Sequence, residues 1–170
     1  MEAYSISPLI LTENDSVCFS EEFISASIEK YLKENGYKIQ KQVSINISGK
    51  EELVIVGSKY FEKEIIEVKG YPKTFEEQEN SLSSKKTSAT QQVKRWFSDA
   101  LFSSFVNFGK YYSNHNVLVA MALPNVSRSK AVIEIVKDYF TENNLYFKIY
   151  LVNDNGEVEV LNLNEKFSDK

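Results

Sequence analysis

The stretch Glu64-Ile65-Ile66-Glu67-Val68-Lys69-Gly70 decides how this chain is read. It is apolar and rich in β-branched residues, which favours a strand. It ends on an acid and a lysine two residues apart. Side chains alternate faces along a strand, so Glu67 and Lys69 point one way while Ile66 and Val68 point the other. Burying a carboxylate and an ammonium side by side is costly unless they pair or hold a metal. That cost calls for a functional explanation.

Upstream, Ser20 is placed to cap a helix whose first turn carries Glu21 and Glu22, two acids suited to the positive end of a helix dipole. Ile24, Ile28, Tyr31 and Leu32 form its apolar stripe, and Asn35-Gly36 ends it. Three strand-like runs follow, over 37–47, 52–56 and 63–69. Ser48-Gly49-Lys50 and Gly57-Ser58-Lys59 read as the hairpin turns between them. A polar stretch from Tyr71 to Ala89, with Pro72 and many Glu, Ser and Lys residues, reads as a long loop.

Downstream, Val93, Trp96, Phe97, Ala100, Leu101, Phe105 and Phe108 recur at helical spacing within 90–112. The apolar run 117–123, ended by Pro124, suits a buried central strand. A helix over 131–140 and strands over 145–152 and 158–163 complete the pattern, with a turn at Asn153-Asp154-Asn155-Gly156. The tail after Leu163 reads as loose. A helix between two strands implies a locally parallel pair, so the expected fold is α/β with a mixed sheet.

Composition narrows the function classes. The chain has 170 residues, 42% of them apolar, with 11 Phe and 10 Tyr, which is enough for one domain with a large core and short for two. Its net charge of −4 argues against a broad basic face, so any nucleic-acid contact has to be local or helped by metal ions. The single Cys18 excludes an internal disulfide and a cysteine-rich zinc site, and the single His115 excludes a multi-histidine metal centre. For His115 a turn role is expected rather than catalysis. The N-terminus has no basic start followed by a long apolar run, and the apolar 7–12 segment is too brief to span a bilayer. The expectation is a soluble, cytoplasmic protein without a membrane partner.

A helix bearing an acid, a three-strand meander bearing an acid and then Glu67-Val68-Lys69, a helix and a further strand follow in that order. On these parts the chain resembles the PD-(D/E)xK, or restriction-endonuclease-like, nuclease superfamily. The resemblance covers about residues 20–151 of one domain spanning 1–170. Glu67-Val68-Lys69-Gly70-Tyr71-Pro72, a polar loop and Gln92-x-x-x-Trp96-Phe97 are similar to uncharacterised bacterial members and to restriction-subunit nuclease domains. It implies an αβββαβ core with a central mixed β-sheet flanked by helices. It also implies a metal-dependent DNA endonuclease that hydrolyses phosphodiester bonds in restriction, phage defence or DNA repair. DNA is the implied partner, together with a homodimer or a larger restriction or defence complex.

Within that resemblance Glu52 and Glu67 are the ligands of Mg2+, with Mn2+ as substitute, and the backbone carbonyl of Val68 joins them. Two carboxylates on neighbouring strands can hold such a hard cation through oxygen. Lys69 orients the attacking water or stabilises the transition state. Members usually carry aspartate where Glu52 stands, before the apolar Leu53-Val54-Ile55. The longer side chain leaves open a catalytically inactive, nuclease-like domain that binds DNA or a protein. An unrelated small α/β interaction module is the third reading.

Other residues carry two readings each. Glu21 lies on the inward face with Ile24 and Ile28 and is preferred to Glu22 as a further acid around the cation; both can equally be first-turn acids. Gln92, with Gln91 as fallback, is set to contact phosphate or water, or is an exposed helix residue. Trp96 and Phe97 sit on the apolar stripe and read as core. Lys85, Lys86, Lys94, Arg95, Arg128 and Lys130 meet phosphate or are solvated surface charge. The competing reading for Glu67 and Lys69 themselves is a surface ion pair on an edge strand.

Overall fold

The computed structural model describes residues 19–45, 51–70, 89–111, 116–143 and 145–163. Elements run in the order α1 (Glu21–Glu34), β1 (Lys38–Ile45), β2 (Glu51–Lys59), β3 (Glu62–Val68), α2 (Ala89–Tyr111), β4 (Asn116–Pro124), α3 (Ser127–Glu142), β5 (Lys148–Val152) and β6 (Val158–Asn162). The six strands form one sheet in the order β1-β2-β3-β4-β5-β6. β1, β2 and β3 pair antiparallel, β3, β4 and β5 pair parallel, and β6 returns antiparallel to β5. The fold is therefore α/β with a mixed sheet, and both parallel steps are spanned by helices, α2 and α3, as crossover geometry requires.

α1 forms where its sequence signals it. The Phe23 N–H donates to Ser20 Oγ at 3.2 Å, Asn35 follows the last turn, and Gly36 takes the left-handed conformation at φ +81°. The stripe Ile24, Ile28 and Leu32 is fully buried on one face of the sheet, against Ile55, Ile66, Val68, Ala120, Ala122, Tyr150 and Val152. Each such apolar side chain contributes about 1.5–3 kcal/mol on burial. α2 and α3 cover the other face, where Val93, Phe97, Ala100, Val132, Ile133 and Phe140 meet Met121, Leu123, Ile149 and Leu151. Strand β4 lies inside the sheet, and its 120–123 run is fully buried, as an all-apolar strand should be. Among the described residues no helix is long and apolar enough to cross a membrane.

Three boundaries differ from the sequence expectation. Gly57-Ser58-Lys59 is not a turn: β2 runs on to Lys59, and Tyr60 and Phe61 make the hairpin tip, 91% and 89% exposed, with Tyr60 at φ +53°. Gly57 serves packing instead, because a Cβ there would stand 3.1 Å from the Tyr37 ring. α3 starts at Ser127, four residues before its apolar repeat; its first turn buries only Ser129 and so shows no hydrophobic period. β5 starts at Lys148; the Phe147 carbonyl still accepts from the Leu163 N–H at 3.0 Å, one step beyond the ladder, and its ring packs on Phe97 and Phe140. The expected turn at 48–50, the loop over 71–88, His115 and the tail lie outside the described residues.

Candidate active site

Glu67 sits in the third of six strands, between Val54 of β2 and Met121 of β4 as Cα partners. Strand alternation puts it with Ile65 on the face covered by α2, beside the buried Val54, Val56 and Val117. Lys69 follows the last ladder pair, and its N–H donates to the Ala122 carbonyl at 3.0 Å, which prolongs the β3–β4 pairing by one step. The Lys69 ammonium stands 2.7 Å from Glu67 Oε1, with side chains 8% and 2% exposed. The edge-strand reading is thereby overturned: β3 is interior and the pair is buried. Val68 directs its side chain into the opposite core and is fully buried.

Gly70 joins this strand end to the start of α1. A Cβ at Gly70 would lie 2.6 Å from the Glu21 nitrogen, 2.7 Å from the Phe19 carbonyl oxygen and 2.8 Å from the Ser20 carbonyl carbon. The Glu67–Lys69 end of β3 therefore abuts the residue where the first helix begins, and Glu21 enters the neighbourhood of the pair through its backbone. Glu21 is half-buried and Glu22 exposed, as the inward stripe of α1 leads one to expect.

Glu52 lies on β2 opposite Ser44 of β1, two residues before Val54, the partner of Glu67. The register thus brings its backbone to the same end of the sheet, while its side chain is outside the described part. The Gln92 side chain is likewise outside it; Gln91 is exposed on α2, the helix whose buried Val93 and Phe97 face the sheet. Trp96 is half-buried and packs against both large apolar clusters, and Phe97 is buried in one of them, so both are core residues. Lys94 and Arg95 are exposed, the latter 3.7 Å from Asp99. Arg128 is half-buried, and Lys130 pairs with Glu159 at 3.3 Å. Lys85 and Lys86 lie outside the described residues. Among the described residues no three His, Cys, Asp or Glu side chains gather as a metal centre.

A second buried acid escaped the sequence reading. Glu64 is 1% exposed on the α1 side of β3; Tyr150 donates to its Oε1 at 2.6 Å and Lys148 to its Oε2 at 3.2 Å. The signal for it was present, since Glu64 shares the strand parity of Ile66 and Val68. It cannot join Glu67, which faces the other way.

Burial and the Glu64 carboxylate raise the Tyr150 phenol far above its usual range, and burial followed by Glu64 raises Tyr37 as well. A folded-state value above the unfolded one means that the stability is complete below about pH 10 and is lost as pH rises past it, where only the unfolded chain can ionise. Stability should therefore fall by about 1.4 kcal/mol per pH unit above about pH 10 on account of Tyr150. Urea unfolding between pH 9 and 11 checks this: Tyr150→Phe should flatten the slope, and an unchanged slope would show that the phenol is not the cause.

No family model matches the chain, and no curated protein and no solved structure matches it either.

Proposed function

We propose that the chain is a restriction-endonuclease-like, metal-dependent deoxyribonuclease that hydrolyses phosphodiester bonds of DNA, acting in the cytoplasm in restriction, phage defence or DNA repair. The observation that carries this reading is the buried Glu67–Lys69 pair, 2.7 Å apart, at the strand end against which the first helix begins. An ion pair at that depth is a poor device for stability alone, because desolvation offsets most of the attraction.

The donor chemistry fits a hard cation. Glu67, the carboxylate two residues before its cross-strand partner in β2, and the Val68 carbonyl would hold it by oxygen. Bound Mg2+ supplies Lewis acidity toward the phosphate and a more acidic water. Lys69 orients the attacking water or stabilises charge developing on the phosphoryl oxygens. Glu21 tops the site from the first turn of α1, and Gln92 contacts phosphate or water from α2.

A second reading has one observation in its favour. Position 52 carries glutamate where members of the resembled superfamily usually carry aspartate, and a domain that binds DNA without cutting would tolerate that change.

Incubation with plasmid and single-stranded DNA in Mg2+ or Mn2+ tests both readings. Cutting should require the metal and should fall by about 10²–10³-fold in Glu67→Ala and in Lys69→Ala. Binding without cutting selects the second reading. Neither activity, with no metal bound, ends both.

A further inference from the structure

We infer that Lys69 is the resident counter-ion of Glu67 and holds the place of a divalent cation, so that the ion pair and cation binding exclude one another. The inference rests on the metal-site part of the proposed function and adds how that site is regulated. A carboxylate only 2% exposed needs positive charge beside it. In this structure Lys69 provides that charge from 2.7 Å. An ammonium and a divalent cation at one carboxylate repel each other, with little water present to screen them. Lysine can yield, because its charge rides on a flexible four-carbon stem.

Two consequences follow. Lys69 weakens cation binding at Glu67, against the usual expectation that removing a catalytic residue damages its site. Its ammonium is also released toward the attacking water only when something else neutralises Glu67. The pair thus keeps the lysine engaged while the site holds no cation. Glu64 and Lys148 do not interfere, since they occupy the opposite face of β3.

Calorimetric titration of the full chain with Mn2+, without DNA, tests this in wild type, Lys69→Met, Lys69→Gln and Glu67→Gln. Lys69→Met and Lys69→Gln should bind Mn2+ about tenfold or more tightly than wild type, which is the scale of one charge-assisted contact released. Glu67→Gln should lose binding. Mn2+ should also raise the Tm of both Lys69 variants more than that of wild type. Lys69→Gln keeps a hydrogen-bond donor beside Glu67 and decides the matter where Lys69→Met fails to fold. Equal or weaker binding by the folded variants overturns the counter-ion role and leaves the metal site standing. Absence of Mn2+ binding in every protein, wild type included, removes the metal site and this inference together.

Discussion

Glu64→Ala should destabilise the protein by about 3–4 kcal/mol, a large share of the 5–15 kcal/mol that holds a typical domain folded. The substitution strips the acceptor from a buried hydroxyl and from a lysine. Tyr150 is 1% exposed and donates to Glu64 at 2.6 Å; Lys148, with a side chain 20% exposed, donates at 3.2 Å. An uncompensated cation left in that position costs several kcal/mol, moderated by the water Lys148 still reaches. Glu64→Gln should cost less, because it keeps an acceptor for the phenol. The triple change Glu64→Leu, Lys148→Met, Tyr150→Phe should recover most of the loss, since no polar group is then stranded. Urea midpoints at neutral pH measure all three. A loss below about 1 kcal/mol for Glu64→Ala would mean that the carboxylate is solvated, and the account of this cluster would fall.

Gly70→Ala is the second large effect. A methyl group there meets three backbone atoms at 2.6–2.8 Å, at Phe19, Ser20 and Glu21. Backbone cannot swing aside as a side-chain tip can, so the end of β3 and the start of α1 have to part. The expected loss is about 2–4 kcal/mol, the upper range for overpacking. Gly36→Ala is the control. Its φ of +81° disfavours alanine, yet the nearest atom to an added Cβ is the flexible Lys59 Cε at 3.8 Å, so strain alone costs about 1 kcal/mol. Gly70→Ala should also reduce DNA cutting more than Gly36→Ala does at equal folded fraction. Equal activity in the two would show that the contact between β3 and α1 does not position the site.

Local chemistry made much of the fold legible. The Ser20 cap, the Ile24-Ile28-Leu32 stripe and Gly36 set α1 to its last residue, because caps and periodicity are properties of neighbouring positions. The same kind of signal failed at Gly57, where glycine accommodates the Tyr37 ring rather than a turn; a residue that is far enough along the chain to be silent locally decided its role. It failed again at the first turn of α3, which carries no apolar repeat. At the site, alternation correctly paired Glu67 with Lys69, but the weight given to the odd positions of β3 hid Glu64 on the even ones. A strand buried on both faces presents an acid to each, and the sequence does not say which of them finds which partner.

The α/β class, the order of the elements and the common side of Glu67 and Lys69 all follow from residue spacing along one chain. The interior place of β3, the meeting of Glu64 with side chains of β5 rather than water, and the press of Gly70 on the start of α1 came instead from the folded arrangement. The reason is physical: periodicity fixes which residues share a face, whereas the neighbour of that face is chosen by contacts between distant segments, whose summed packing and hydrogen bonding no local pattern records.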